Sequence, residues 1–294
     1  MRESIASPAG VSRRVSCARM IALLGVLGAL GARGAAISPP AAARTLTVAQ
    51  ILQRNAQARG GLAAWQRIHS MVQIGLIERE THVGSRDVQR ARTGRSDADA
   101  DQSVRFRSIM QKPNKMRMEL TYRGATAIQA FDGTAGYTVE PGPNGAIARP
   151  FTAAQIRAAA LQQGLDGPLL DAATDGTVVT LAGIDRVDGR PAYKLTLVMK
   201  NGATRHVWVD CADFLDVKID GTREIGGHFW PIETTFGQFR TEGSVTVPHE
   251  VRTSVGGVHT MERMRVFRVV LNAPLEASLF TLPRAPGVGT GVSR

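Results

Sequence analysis

Apolar and polar residues alternate along much of the chain, most clearly in the segment 116–122. The apolar positions of that segment are Met116, Met118, Leu120 and Tyr122, with charged or polar residues between them. Successive side chains of a β-strand point to opposite faces of the sheet. The pattern therefore predicts a strand with one face against an apolar medium and the other in water.

Similar strand patterns recur from residue 71 to residue 270 and are separated by short turn signals. Pairs that combine Asp or Asn with Gly are the strongest hairpin signals in a sequence. They occur at Asp132-Gly133, Asn144-Gly145, Asp175-Gly176, Asp188-Gly189, Asn201-Gly202 and Asp220-Gly221. The sequence therefore predicts a mainly β protein, an antiparallel meander of about ten strands.

Two helical patterns interrupt the strands. Thr47 caps an amphipathic helix that Gly60-Gly61 ends. The range 151–173 is a second, broken helix, interrupted by Gly164 and Gly167-Pro168. Its apolar positions include Ile156, Leu161, Leu165, Leu169 and Leu170. The broken helix is either a plug that completes the core or a lid with glycine hinges, and the interruptions favour a lid.

The N-terminus has the layout of a cleaved secretory signal. Arg13, Arg14 and Arg19 precede the apolar run Met20 to Ala32, and small residues follow at 34–36 and 41–43. We expect cleavage after residue 36, with 43 as the later alternative, and a single domain over 37–294. An uncleaved anchor is less favoured, because the run is short for a bilayer. Cys17 precedes the run, so we expect a soluble periplasmic protein without a lipid anchor.

Net charge and composition limit the classes of molecule that this protein is expected to bind. The formal net charge is +11, and removal of the five arginines and one glutamate of residues 1–36 leaves +7. The arginines are spread over most strands and only 5% of residues are aromatic, which disfavours nucleic acid. Anionic lipid headgroups, a cell-envelope polymer or an ordinary solvated surface remain open. Cys211 is the only cysteine after the signal, so no internal disulfide is expected.

Patterns of catalysis and metal binding are weak. The segment Asp97 to Asp101 imitates the start of a calcium loop, but Gln102 replaces the required glycine. The histidines form no HExxH motif, and only His206 and Asp210, on one strand face, hint at a metal. Neither a nucleophile elbow nor a phosphate-binding glycine loop occurs. We therefore expect no enzyme activity, no metal and no cofactor.

Several short motifs occur in an order that resembles the LolA-like family of periplasmic lipoprotein carriers, which is related to LolB and to the lipid-binding domain of RseB. They are Ala58-Arg59-Gly60-Gly61, Lys112-Pro113-x-Lys115, Phe131-Asp132-Gly133-x-x-Gly136-Tyr137, Asp166-Gly167-Pro168-Leu169-Leu170, Gly183-Ile184-Asp185-x-Val187-Asp188-Gly189-Arg190-Pro191-Ala192-Tyr193-Lys194-Leu195, Val209-Asp210 and Leu271-Asn272-Ala273-Pro274-Leu275 with Phe280 and Pro283. The motifs span nearly the whole chain after the signal. Each is mostly turn chemistry, and their order carries the resemblance.

The resemblance implies an unclosed antiparallel β-barrel of about ten to eleven strands wrapped around helices that form a lid or plug. It also implies an apolar cavity for the acyl chains of a lipid or lipoprotein. The alternating strand faces predict its lining: Met116, Met118, Leu120, Tyr122, Leu195, Leu197, Val207, Val209, Ile232 and Phe236. An acyl chain of about sixteen carbons costs on the order of 10 kcal/mol to expose, so the cavity needs a cover. No residue of the sequence identifies a latch for that cover.

Two functions follow from the resemblance. The first is a monomeric carrier that shuttles lipid or lipoprotein across the periplasm, from an inner-membrane transporter to an outer-membrane acceptor, with transient membrane contact. The second is an RseB-like lipid sensor or interaction module that regulates an envelope partner. RseB-like proteins carry an additional C-terminal domain, whereas about ten residues follow Pro283 here, which favours the carrier.

Overall fold

A computed structural model of the chain describes residues 46–81, 103–160, 164–170, 172–200, 202–225, 228–256 and 260–282. The signal segment, the Asp97 to Asp101 loop and the predicted lid residue Leu161 lie outside these ranges. The described helices are α1 (Val48–Ala58), α2 (Leu62–Gln66), α3 (Ala153–Ala160), α4 (Ala172–Asp175) and a 3₁₀ helix (Ala277–Phe280). The strands are β1 (Ser70–Thr81), β2 (Val104–Gln111), β3 (Lys115–Tyr122), β4 (Ala125–Phe131), β5 (Gly136–Gly142), β6 (Gly145–Pro150), β7 (Val178–Val187), β8 (Arg190–Val198), β9 (Thr204–Asp210), β10 (Asp216–Ile225), β11 (His228–Gly237), β12 (Arg240–Glu242), β13 (Val245–Val247), β14 (Glu250–Val255) and β15 (Thr260–Leu271).

Thirteen strands form one antiparallel sheet in the order β6-β5-β4-β3-β2-β1-β15-β14-β11-β10-β9-β8-β7. Strands β12 and β13 pair only with each other. The sheet is not closed, because β6 and β7 are its two edges. The predicted fold class, a mainly β protein with an unclosed antiparallel sheet around helices, is confirmed. The sheet has thirteen strands, more than the ten to eleven expected, and the edge strand β6 is one that the sequence pattern did not predict.

One face of the sheet, which we call the inner face, holds the helices. Ile51 of α1 packs against Leu195 and Val207, and Trp65 of α2 packs against Met71. The hairpin β12–β13 packs on the same side, because Val245 shares the cluster of Trp65. The inner face therefore holds the main core.

Helix α1 begins and ends where the sequence predicts. Thr47 and Gln50 form a capping box at its start, which satisfies two backbone N–H groups. Gly60 follows the helix with φ of 104°. A Cβ at Gly60 would lie 2.3 Å from the carbonyl oxygen of Ser244, so glycine is required both for the turn and for the close approach of the β12–β13 hairpin.

The opposite face, the outer face, is covered in part by the C-terminal segment. Phe280 is buried against Val72 and Ile109. Arg117 donates a hydrogen bond to the carbonyl of Leu279 at 2.8 Å. The 3₁₀ helix is thereby fixed on the outer face beside β1, β2 and β3.

A β-bulge interrupts the pairing of β1 with β15. Ile74 lies opposite Arg268 and Gly75 lies opposite Val266, so Phe267 is an extra residue without a partner on β1. A Cβ at Gly75 would lie 1.9 Å from the carbonyl oxygen of Arg265, which explains why this position is glycine. Phe267 is 58% exposed at the bulge.

Candidate functional site

The predicted lining residues of β8 and β9 lie together on the inner face. Leu195, Leu197, Val207 and Val209 are each at most 1% exposed. They form one cluster with Ile51 of α1 and with Leu169, one of the predicted lid residues. In this structure protein side chains therefore fill this part of the inner face.

The predicted lining residues of β3 divide between two environments. Met116 packs with Phe131 and with Ile156 of α3, which is a predicted lid residue. Met118, Leu120 and Tyr122 instead lie in a cluster whose members, among the described residues, all belong to strands. The remaining members of that cluster are Ile77, Val104, Phe106, Val266, Met264 and Val269.

The last two predicted lining residues lie on β11. Ile232 is buried and faces Val255 of β14 across the ladder. Phe236 is half-buried and faces Val251 of β14. These residues lie in the sheet between the β8–β9 cluster and the β3 cluster.

A continuous row of apolar side chains crosses the inner face, and we call it the apolar stripe. It consists of Phe236, Val251, Met264, Ile77, Val104 and Tyr122. The first five residues are successive cross-strand partners, and Tyr122 packs beside Val104. Neighbouring strands are about 4.8 Å apart, so the stripe is roughly 24 Å long. That length matches the extended tail of a long-chain fatty acid.

The stripe is only partly covered. Ile77 and Val104 are buried beneath their neighbours, whereas Phe236, Val251, Met264 and Tyr122 are half-buried. In the part of the chain that the structure describes, both ends of the stripe thus present partly exposed apolar surface. Methionine adapts its shape to flexible partners, so Met264 and the neighbouring Met118 suit an acyl chain.

The segment 164–170, which contains three predicted lid residues, is held down at Asp166. Arg59 donates a hydrogen bond to the carbonyl of Asp166 at 2.7 Å. The ammonium of Lys112 lies 2.7 Å from the Asp166 carboxylate and also donates to the carbonyl of Trp65. We call these contacts the Asp166 clamp.

The side chains on either side of the clamp point into the core. Leu169 joins the cluster of Leu195, while Leu165 and Leu170 join the cluster of Trp65. The clamp therefore holds apolar side chains of the predicted lid over two separate parts of the inner face. Arg59, Lys112 and Asp166 each lie in a motif noted in the sequence. Arg59 and Asp166 are 107 residues apart, so no local pattern indicates that they pair.

Asp216 lies behind the clamp. Its carboxylate is 3.6 Å from the Arg59 guanidinium and accepts a hydrogen bond from the side-chain amide of Asn55. Burial raises the pKa of Asp216, and Arg59 and Asn55 oppose this shift. Asn55 of α1 and Arg59 directly after it therefore both contact the Asp216 carboxyl group, so the charge of that group affects how α1 is held.

The raised pKa predicts a pH dependence that Asp216→Asn removes. An aspartate whose pKa is higher in the folded state contributes stability below its unfolded pKa, and this contribution is lost as pH rises through the folded pKa. We expect the free energy of unfolding of the wild type, relative to Asp216→Asn, to increase as pH falls from neutral towards the ordinary aspartate pKa. Denaturant titration of both proteins at several pH values measures this difference, and a constant difference would contradict the assignment.

Within the described part of the chain, no three His, Cys, Asp or Glu side chains are grouped so as to hold a metal ion. The two residues that hinted at a metal have separate partners. His206 lies 2.7 Å from the carboxylate of Asp220, and Asp210 accepts a hydrogen bond from Arg190. None of the described helices combines the length and the apolar character needed to cross a bilayer.

No protein-family model matches the sequence, and no curated protein matches it. Solved structures do match. A LolA superfamily protein from Nitrosomonas europaea is 12% identical, with 81% of this chain and 98% of that chain covered and a TM-score of 0.51. A domain assigned to outer membrane lipoprotein sorting, from Vibrio parahaemolyticus, is 11% identical, with coverages of 78% and 94% and a TM-score of 0.45. Lipoprotein LppX from Mycobacterium tuberculosis is 13% identical, with coverages of 79% and 100% and a TM-score of 0.30.

The fold comparison depends on the first of these structures. It shows that this chain has a fold similar to that of the LolA superfamily, as the order of the sequence motifs predicted. At 12% identity the similarity concerns the fold, so the function has to be argued from the inner face and the Asp166 clamp.

Proposed function

We propose that this protein is a periplasmic carrier that binds the acyl chains of a lipid or lipoprotein on its inner face. The apolar stripe is the observation that carries this proposal. It joins half-buried apolar side chains on four strands of an open sheet through the buried Ile77 and Val104 on two further strands, and the described helices pack elsewhere on that face. The chain acts without a catalytic residue, metal or cofactor.

The physical argument concerns the cost of moving an acyl chain through water. Each methylene removed from water contributes roughly 0.8 kcal/mol, so a carrier gains affinity by covering most of the chain. A shallow groove leaves one side of the chain wet. The stripe supplies one wall, and a second surface has to close over it.

The segment held by the Asp166 clamp is the proposed second surface. Leu169 now fills the space beside Leu195, and Ile156 of α3 covers Met116. Release of the segment would remove Leu169 from the cluster of Leu195, Leu197, Val207 and Val209, while Ile51 of α1 stays in place. In the open state these predicted lining residues contact cargo on the side that Leu169 vacates. The lid residues Ile156, Leu165, Leu169 and Leu170 then return to the core when the cargo leaves.

This exchange suits a shuttle between two membranes. The carrier would receive cargo from an inner-membrane transporter and deliver it to an outer-membrane acceptor. The protein works as a single exported domain over residues 37–294, after removal of the signal. In the empty carrier, the apolar side chains of the lid occupy the place of the acyl chain. They thereby lower the free-energy cost of releasing the cargo, because the apolar lining is not left exposed to water.

Lipid that accompanies the purified protein tests the proposal. We expect the mature chain, purified gently from the periplasm, to carry acyl lipid in a native mass spectrum and to lose it after delipidation. The control is the same chain refolded from denaturant, which should show the polypeptide mass alone and then regain lipid on incubation with fatty acid. A bare polypeptide mass both in the gently purified sample and in the refolded sample after incubation with fatty acid would contradict acyl binding.

A further inference from the structure

The outer face of five neighbouring strands is strongly basic. The strands are β14, β15, β1, β2 and β3, in spatial order. Their outward arginines are Arg105, Arg107, Arg117, Arg252, Arg263, Arg265 and Arg268. Among the described side chains, the outward acidic residues of the same strands are Glu78, Glu119 and Glu250. Lys115 of β3 lies on the same face, with its ammonium over the Phe280 ring, so the face carries a formal excess of five positive charges.

The glutamates neutralise the arginines at the margins of this face. Glu250 pairs with both Arg252 and Arg263, and Glu78 pairs with Arg265. Glu119 pairs with Arg117 at 2.6 Å and lies 3.6 Å from Arg107. Glu250 and Glu119 are each shared by two arginines, so part of the excess charge stays within these groups, and the rest of the arginine charge lies on the two arginines without an ion-pair partner.

Arg105 and Arg268 are those arginines. Both are exposed, and neither has an ion-pair partner among the described residues. Arg105 lies opposite Leu76 on β1, and Arg268 lies opposite Ile74. The two guanidinium groups are thus available to an external anion on the same face.

Exposed apolar side chains accompany the free arginines. Ile74 is 37% exposed and lies between Arg107 and Arg268 in the ladder. Phe267 is 58% exposed, because the bulge leaves it unpaired, and its ring centroid lies 5.9 Å from the Arg265 guanidinium. An isolated exposed apolar residue is ordinary, but an aromatic ring surrounded by arginines has the composition of a membrane-interface anchor.

We propose that this outer face binds the surface of an anionic phospholipid bilayer. The arginines contact headgroup phosphates, and Phe267 enters the interface between headgroups and acyl chains. The five strands span about 20 Å, a breadth that suits an extended surface better than a single small ligand. Docking by the outer face leaves the apolar stripe on the opposite side, clear for exchange with a partner. This surface is independent of acyl binding on the inner face.

Vesicle flotation of the mature chain tests this surface. We expect binding to vesicles of phosphatidylglycerol and phosphatidylethanolamine that weakens as salt is raised, and little binding to phosphatidylcholine vesicles. The double variant Arg105→Glu/Arg268→Glu should lower affinity about tenfold or more, because each basic residue contributes near an anionic surface. Phe267→Ser should weaken binding at high salt as well as at low salt.

A matched control separates this face from net charge. Arg149→Glu/Arg186→Glu makes the same change in charge at two exposed positions, on the edge strand β6 and in β7. This control should retain vesicle binding. Equal losses in the two double variants, equal binding to phosphatidylcholine, or binding to a soluble polyanion without binding to vesicles would each overturn the proposal. Uptake of a fluorescent fatty acid should stay unchanged in Arg105→Glu/Arg268→Glu, so failure here is distinguishable from failure of the carrier proposal.

Discussion

Replacing Phe236 by Glu is expected to abolish uptake of a fluorescent fatty acid while the protein stays folded. Phe236 is half-buried at one end of the apolar stripe, so a carboxylate there keeps access to water in the empty protein. A bound acyl chain would bury that charge without a partner, which is strongly unfavourable. Fluorescence titration measures the uptake, and circular dichroism with a thermal scan verifies the fold.

Two controls make the Phe236 result specific. Ile147→Glu introduces the same charge at a 44% exposed position on the edge strand β6 and should bind normally. Phe236→Leu keeps an apolar side chain and should retain most of the uptake. Normal uptake by a folded Phe236→Glu variant would exclude the stripe as the binding surface. Leu195→Glu is a poorer test, because Leu195 is 0% exposed and a charge there would destabilise the core itself.

Replacing Asp166 by Asn is expected to accelerate acyl exchange about tenfold, because a charge-assisted contact contributes roughly 1.5–3 kcal/mol and part of it persists with an amide. The change removes the charge that Lys112 contacts at 2.7 Å and keeps the size of the side chain. The bond from Arg59 to the Asp166 carbonyl should survive. Stopped-flow fluorescence of a preloaded acyl probe measures the rate of release.

Asp213→Asn is the matched control for the clamp. Asp213 is an exposed aspartate that pairs with Arg190 away from the lid segment, so its replacement should leave the rate unchanged. The melting temperature of Asp166→Asn should fall by a few degrees at most, because the apolar lid residues stay in place. An unchanged release rate in Asp166→Asn would mean that the segment 164–170 does not cover the site.

The sequence predicts the local structure of this chain well. Alternation with a period of two identifies β3, and the Thr47 cap identifies the start of α1. Both signals act over a few residues, which is the range of backbone and capping energetics. The pairing of β1 with β15 joins Met71 to Leu271 and has no local signal. The order of strands within each half of the sheet was therefore predictable, whereas the pairing of β1 with β15, which joins the two halves, was not.

The candidate site shows the same limit. Alternation assigns both Leu195 and Phe236 to the inner face, but it does not show that Ile51 covers the first and leaves the second half-buried. What covers a strand depends on elements far away in the chain. The Asp166 clamp is a similar case, since Arg59, Lys112 and Asp166 each lie in a motif whose partner is set by the tertiary fold.

The two unjoined edges of the sheet bear on how the proposed carrier would accommodate cargo of different width. In a closed barrel, the number of strands and their stagger determine the circumference. Here no hydrogen-bonded ladder connects Gly145–Pro150 to Val178–Val187, so small changes of twist at each strand pair can widen or narrow the trough. One molecule could thus accept one tail or several, with selectivity set by curvature rather than by a rigid ring.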